Sequence, residues 1–394
     1  MVVLVTGALW AGLVTYLLSR VVRQGRVFNA ATLPEVSAAA VSGGVTIVVP
    51  MRDEIANVDG CLTDLLAQRH LIGGWKVVVV DDNSTDGTAD RLKDIALAEP
   101  RLRVIRAGAL SPGWTGKSRA CWLGAAASCG EWLCFVDADL RAAPTLVAST
   151  IAAAQEGAIG MLSLSPFQEL GSFWERLVVP AGLLAIAAAT DLRRIDDPAA
   201  PDVTANGQFL LFHRAVYDAV GGHEAVRGEI CEDKALAGLV KRRGQRFRMM
   251  GAEHLARTRM YRDFGSLWEG FGKNAVEVLR SGAFSVMAAS AAAIIAWAAI
   301  ALPLWGGLSA AHNDTATAAV GFGLALLASL ALFGMHLGAS RHSKVPLGYA
   351  LLFPIAYTAV AALAWFSLAL RWTGRVRWKG RTYRLGPNAA LNRH

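Results

Sequence analysis

Three acidic clusters stand where an ordinary surface does not need them. Pro50-Met51-Arg52-Asp53-Glu54 and Asp81-Asp82 each follow a run of apolar, β-branched residues. Adjacent carboxylates at a buried strand end repel one another, and hydrogen bonds to a polar ligand, such as a nucleobase and its ribose, relieve that repulsion. Asp137-Ala138-Asp139 follows another apolar run. In extended backbone, residues i and i+2 point the same way, so these two carboxylates converge. A divalent cation, Mg²⁺ or Mn²⁺, suits such a pair, because it prefers oxygen ligands and keeps positions open for phosphate. Farther along, Glu232-Asp233 offers a carboxylate that could accept the proton of a weak hydroxyl nucleophile.

Each stretch also has a plainer reading. Ser84 or Thr85, with Asp86, can cap the helix that follows Asp81-Asp82. Glu232 and Asp233 can simply favour the N-terminal end of a helix patterned by Leu236, Leu239 and Val240 and stopped at Gly244; sequence alone leaves the two readings level. Ser111-Pro112-Gly113-Trp114-Thr115-Gly116-Lys117-Ser118 is one glycine short of a phosphate-binding loop. An ATPase is the rival that it suggests, with Asp137 as its acid. Pro112 removes a backbone N–H that such a loop needs, Trp114 is bulky there, and the upstream acidic stretches would go unexplained. Lys117, opening a helix after Gly116, either faces an anion or lies on a solvated face. His213, His223 and His254 have no ligand-like spacing and read as structural or surface residues.

Positioning these groups requires alternating strands and helices. Apolar β-rich runs at 45–49, 77–80, 102–105 and 132–136 are separated by helical patterns near 54–69, 86–99 and 116–128. Continuous rather than alternating hydrophobicity predicts strands buried on both faces, hence a parallel α/β sheet with crossover helices. Ligands of such sheets bind beyond the carboxyl ends of the strands, where the acidic stretches fall.

Composition places this insert in a membrane protein. Of 394 residues, 54% are hydrophobic and only 18% charged, with a mean hydropathy of +0.37; soluble domains run about 25% charged. Segments 1–19, 282–305, 316–339 and 346–370 carry no Asp, Glu, Lys or Arg, and a span needs about 20 residues. Arg20, Arg23 and Arg26 follow the first, which predicts a retained anchor with an external N-terminus and a cytoplasmic insert in the inner membrane. Five cysteines without C-x-x-C fit reduced thiols. Seven of the eight net positive charges lie in 371–394, so the basic character is that of a tail and does not indicate nucleic acid. Four complete spans would leave this tail outside, against the positive-inside rule; 346–370, broken by Pro354, is therefore expected to be re-entrant. Residues 177–189 are apolar but too short to span, and Phe264, Leu267, Trp268, Phe271, Ala275 and Leu279 recur at helical spacing opposite Glu269, Lys273, Glu277 and Arg280. Both segments read as core-facing helices or as interfacial helices that present a lipid headgroup.

Taken in order, the 50–54, 80–86, 113–117, 137–139 and 231–233 stretches resemble the family 2 glycosyltransferases of GT-A fold. Ser172-Phe173-Trp174-Glu175-Arg176, Ala205-Asn206-Gly207-Gln208, Gly221-Gly222-His223, Arg259-Met260-Tyr261-Arg262 and Trp268-Glu269-Gly270-Phe271 resemble the membrane-bound bacterial branch associated with hopanoid and carotenoid lipids. The resemblance covers 44–281. It implies a GT-A (Rossmann-like) domain inserted between one N-terminal and about three C-terminal transmembrane helices: an anchor at 1–25, a catalytic domain at 26–263, an interfacial helix at 264–281, a membrane region at 282–370 and the tail at 371–394. It implies that Pro50, Arg52, Glu54 and Asp82 hold the nucleotide of a nucleotide-diphosphate-sugar (a UDP-sugar), with Asp81 in support and Lys117 nearby. Asp137 and Asp139 would meet the metal–diphosphate unit, Asp139 most directly, and Asp233, beside Glu232, would be the base of an inverting transfer. Processive synthases carry [Q/R]-x-x-R-W; Arg257-Thr258-Arg259-Met260-Tyr261 lacks the Arg-Trp pair, which favours transfer of one sugar to a polyisoprenoid, hopanoid, carotenoid or glycerolipid. Transfer to polyprenyl phosphate is the alternative within that chemistry, and a non-catalytic nucleotide-sugar-binding membrane protein the alternative outside it.

Overall fold

The computed structural model describes residues 1–36, 41–276, 282–313 and 315–384. The chain runs α1 (Val2–Ala30), β1 (Val45–Met51), α2 (Ile55–Leu66), β2 (Trp75–Asp81), α3 (Thr88–Ala98), β3 (Leu102–Arg106), α4 (Gly116–Ala126) and β4 (Trp132–Val136). It continues through β5 (Leu140–Ala142), α5 (Leu146–Glu156), β6 (Met161–Ser165), β7 (Phe167–Gln168), α6 (Phe173–Ala189), α7 (Leu192–Asp196), β8 (Phe209–His213), α8 (Arg214–Ala219), α9 (Gly222–Ala225) and α10 (Glu232–Arg242). Then follow β9 (Phe247–Gly251), β10 (Ala256–Thr258), α11 (Phe264–Asn274), α12 (Gly282–Asn313), α13 (Ala316–His342), α14 (Phe353–Trp372), β11 (Arg375–Trp378) and β12 (Arg381–Arg384). Two compact units result: one of Met1–Val27, Leu170–Asp191 and Tyr261–Thr373, the other of Phe28–Glu169, Leu192–Met260 and the tail from Gly374.

The α/β unit is built on a seven-stranded sheet of order β3-β2-β1-β4-β8-β6-β9. Its first half is parallel, with Met51 level with Asp81 and Val48 level with Phe135. Burial on both faces explains the unbroken hydrophobicity of these strands. Ile47, Val49 and Met51 of β1 join Val58, Leu62 and Leu65 of α2 in one core, while Val48 joins Cys121 and Ala125 of α4 in another. The all-parallel expectation needs one correction: β8 runs antiparallel to both β4 and β6. The chain comes back from α7 at the carboxyl end of β4 and must enter the sheet head-on. That reversal brings Gly207 and Gln208 beside Asp137, whose N–H donates to the Gln208 carbonyl at 3.0 Å.

The helical unit holds four stretches long and apolar enough to cross a membrane: α1, α12, α13 and Leu347–Trp372, the last a 3₁₀ turn (Leu347–Leu352) running into α14. Large apolar side chains such as Ile294, Leu304 and Leu327 face outward, as they would toward lipid. Helix α1 meets α13 backbone to backbone: a side chain on Gly7 would run into the Gly321 carbonyl, the close approach that small residues allow between membrane helices. Trp297 donates to Thr358 at 3.0 Å and Trp365 to Ser290 at 3.1 Å, so α14 runs antiparallel to α12 and ends level with its start. The short apolar helices α6 and α11 belong to this unit. Each begins with a capping box, Ser172–Glu175 and Asp263–Ser266, and the Trp174 and Phe264 rings pack 4.7 Å apart. Glu277, Leu279, Arg280 and Arg393 lie outside the described residues.

Candidate active site

The carboxyl ends of β1, β2 and β4 meet where the strand order switches, β1 having β2 on one side and β4 on the other. The loops after β1 and β2 are fastened together. Asp53 N–H donates to Ser84 Oγ at 3.0 Å, and Asp53 Oδ1 accepts from Thr85 N–H at 2.7 Å. Glu54 N–H donates to Thr88 Oγ1 at 2.9 Å, and Ile55 N–H to Asp86 Oδ2 at 3.0 Å. Ser84 and Thr85 therefore do not cap α3, whose N-cap is Gly87 without a side-chain bond. Asn83 sits at a positive φ of 59°, and beyond it both hydroxyl residues are engaged by Asp53. Of that trio only Asp86 serves the helix start, accepting from Thr88 N–H at 3.0 Å.

Asp81 and Asp82 are both buried. Asp81 Oδ1 accepts from Ser84 N–H at 3.1 Å, while its Oδ2 is sealed from solvent without a hydrogen-bond partner. Asp82 Oδ2 is held by the Arg381 guanidinium, and the Glu54 carboxylate by the Lys379 ammonium. Arg52 Nη1 donates to the Asp82 carbonyl at 2.7 Å and Nε to the Lys379 carbonyl at 3.2 Å. Pro50, level with Val80 in the β1–β2 pair, sits directly before these groups. Gly116, at the start of α4, keeps this corner open, since a Cβ there would overlap Asp82 Oδ2 and Arg381 Nη1.

A second charge cluster lies at the end of β4. Thr115 caps α4 by accepting from Ser118 N–H, which presents Lys117 in the first turn. Its ammonium bonds Asp137 Oδ1 at 2.8 Å, Glu232 Oε1 at 2.9 Å and the Gly207 carbonyl at 3.4 Å. Burial works against that charge, but Asp137 and Glu232 outweigh it and hold the lysine well above its usual range. Lys117 is thus no solvated face residue, and the wholly buried Ser118 cannot reach a nucleotide as a phosphate-loop serine would. Asp139 Oδ1 is sealed from solvent without a partner. Burial, then the charges of Asp137 and Glu54, pushes that carboxyl up to about 7. Glu232 and Asp233 occupy the first turn of α10, so their electrostatic fit to the helix end and their place in the cleft coexist. Burial, then Glu232, pushes Asp233 up to about 6. Gly207 lies against it: a Cβ there would stand 3.1 Å from Lys117 Nζ and 3.2 Å from Asp233 Oδ2.

Two converging carboxylates, one with an unmatched buried oxygen, fit a divalent cation that completes its shell from a bound phosphate. Among the described residues, no group of three or more His, Cys, Asp or Glu could hold a metal alone. The histidines play other parts. His223 is buried against Tyr217, Nδ1 to OH 3.0 Å, and burial lowers its pKa to about 3; His213 stands 3.5 Å from Glu131, and His254 is exposed.

Pro50, Arg52, Glu54, Asp81, Asp82, Lys117, Asp137, Asp139, Glu232 and Asp233 gather around this switch point, where Lys379 and Arg381 join them; the sequence reading had missed the last two. A signal was present. Lys379-Gly380 joins two short alternating segments, and both residues take positive φ, 44° and 74°, as a two-residue hairpin turn requires. The hairpin brings Lys379 and Arg381 to carboxylates of the same α/β unit, while Leu347–Trp372 is long and apolar enough to cross a membrane.

Comparison with known proteins agrees with this geometry. Residues 46–218 match the family model described as glycosyl transferase family 2. A 4,4'-diaponeurosporenoate glycosyltransferase of Staphylococcus aureus (strain USA300) is 27% identical over 236 residues, 58% of this chain. Its counterpart in strain MRSA252 is 28% identical over 233 residues. In each case this chain spans only 60% of the relative's length. A mannosyltransferase from Pyrobaculum calidifontis, solved with GDP-Man and Mn²⁺, shares the fold with a TM-score of 0.51 at 17% identity, over 94% of this chain and 99% of that one. Residues 46–218 are thus similar to glycosyl transferase family 2, in a chain that shares the fold of the P. calidifontis mannosyltransferase and holds, among its described residues, four helices long and apolar enough to cross a membrane.

Proposed function

We propose that the protein is a membrane-bound inverting glycosyltransferase that moves one sugar from a nucleotide-diphosphate-sugar to the hydroxyl of a lipid at the cytoplasmic face. The observation that carries this reading is the pair of sealed, unpartnered carboxylate oxygens, Asp81 Oδ2 and Asp139 Oδ1, beyond the carboxyl ends of β2 and β4, the two strands that flank β1. Buried carboxylate oxygens left unmatched are costly, and a nucleotide N–H and a divalent cation are the complements that a nucleotide-sugar would bring.

This chain's residues divide the work. Asp81, Asp82, Glu54 and Arg52 receive the nucleotide, with Pro50 forming part of the wall. Asp139 and Asp137 would hold Mg²⁺ or Mn²⁺, which would stabilise the departing diphosphate. Lys117 bonds both Asp137 and Glu232, so one ammonium sets the distance between the diphosphate end and the base end of the cleft. Glu232 is committed to that bond, which leaves Asp233 to take the acceptor's proton. Its raised affinity for protons still leaves it ionised at neutral pH, as a general base requires. One base facing one leaving group favours a single in-line displacement with inversion.

The helical unit supports a lipid acceptor. It holds a half-open apolar cleft of about 320 Å³ lined by residues including Val178 and Leu184 of α6, Phe271 of α11, Phe284 of α12 and Tyr357 of α14, a place for hydrocarbon. The name of the S. aureus relative, 4,4'-diaponeurosporenoate glycosyltransferase, supports the same reading. Asp233→Asn tests the acceptor's chemistry: near-complete loss of transfer supports a hydroxyl, and a mild loss supports an already ionised phosphate. Asp139→Ala tests the enzyme reading itself, because a non-catalytic binding protein would keep its function in vivo.

A further inference from the structure

The hairpin of β11 and β12 places two cations on the expected nucleotide carboxylates from more than 290 residues away along the chain. Two roles are conceivable for it, a plug that empties the site or a wall that completes it. A plug would satisfy the buried acceptors of the site, yet Asp81 Oδ2 and Asp139 Oδ1 stay without partners beneath the hairpin. Its other anchors are main-chain ties. Arg52 Nε donates to the Lys379 carbonyl at 3.2 Å, Lys379 Nζ donates to the Arg52 carbonyl at 3.0 Å, and Gly116 N–H approaches the Tyr383 hydroxyl at 3.4 Å. Main-chain ties of this kind persist when the carboxylates change partner.

Charge argues for the same role. The elements around the sheet bring seven carboxylates to the site: Glu54, Asp81, Asp82, Asp137, Asp139, Glu232 and Asp233. Against them the same elements set Arg52 and Lys117, and Lys117 is shared by two of the acids. An incoming diphosphate would meet strong repulsion without further cations. The Lys379 ammonium bonds Glu54 and the Arg381 guanidinium bonds Asp82, so the hairpin supplies two such cations at the site.

We propose that the C-terminal hairpin is part of the donor site, Lys379 binding the diphosphate of the nucleotide-sugar and Arg381 positioning Asp82 for the nucleoside. This deepens the glycosyltransferase reading and rests on it. Two of the tail's basic residues, Lys379 and Arg381, thereby become part of the pocket wall.

The test uses the purified full-length protein, with UDP, GDP, uridine and guanosine as probes in the presence of Mn²⁺. The unaltered chain should bind one of the two diphosphates, and Lys379→Gln should weaken that binding about tenfold or more, as loss of a charge-assisted bond does. Binding of the matching nucleoside should be unchanged by Lys379→Gln, and Lys379→Arg should restore most of the affinity for the diphosphate. Arg381→Gln should weaken nucleoside and diphosphate alike. Equal or tighter diphosphate binding by Lys379→Gln would overturn the wall, tighter binding marking a plug. Equal loss of nucleoside and diphosphate would overturn it too, as damage to folding. If the unaltered chain binds neither diphosphate, the glycosyltransferase reading fails first and the hairpin proposal with it.

Discussion

The two halves of the site are built by opposite strategies. In the sheet-borne half, carboxylates stand at consecutive strand ends, so the backbone alone assembles Asp81, Asp82, Asp137 and Asp139 within one switch point. In the hairpin-borne half, a two-residue turn delivers Lys379 and Arg381 from the far end of the chain. The sheet supplies concentrated negative charge, and the tail supplies the compensating positive charge. Catalysis at a diphosphate needs both, but only the first is rigid by construction. Substitutions in the sheet-borne half should therefore strike the chemical step, and substitutions at the seam between the halves should strike donor binding.

The largest effect belongs to the floor. Asp139→Ala should lower transfer by about 10²–10³-fold or more in a steady-state assay while the fold, followed by thermal unfolding, is retained. A strong loss of binding with an unchanged chemical step would break the contrast between the halves. Asp233→Asn comes next, with a fall of about 10²-fold in kcat and little change in donor KM. At the seam, Gly116→Ala places a methyl group against Asp82 and Arg381; donor KM should rise about tenfold with kcat largely kept.

The pH profile sharpens the same division. In the proposed reading Asp233 acts ionised, and burial raises its pKa to about 6, so kcat should be full above that value and fall as pH drops through it. The same acid limb should vanish in Asp233→Asn, whereas Gly116→Ala should keep it. The smallest effect is expected at the loop that imitates a phosphate-binding motif: Ser118→Ala should leave metal dependence and rate unchanged, and a large loss would revive the ATPase alternative.

Much of the sheet-borne half is legible in the sequence, because its cues are local. Runs such as Val77-Val78-Val79-Val80 are hydrophobic on both faces only when both faces are covered, and the acid that ends each run marks the carboxyl end of the strand. The antiparallel β8 is not legible in this way. Phe209-Leu210-Leu211-Phe212 reads as a strand, but its direction depends on the excursion through α6 and α7. The Ser84-Thr85 pair failed as a cap for a similar reason: their partner, Asp53, is 32 residues away along the chain and beside them only in space. The hairpin lay hidden in its charge. Seven basic residues invite a membrane explanation, while the Lys379-Gly380 turn, a purely local cue, called for a structured strand pair.

The central claim is that these carboxylates and cations transfer sugar to a lipid. Membranes containing the full-length protein, incubated with labelled UDP- and GDP-sugars plus Mn²⁺, allow a direct measurement after extraction of the lipids. Label should enter a lipid from at least one donor and be lost with Asp139→Ala. A lipid fraction without label from every donor, or label undiminished by that substitution, would contradict it.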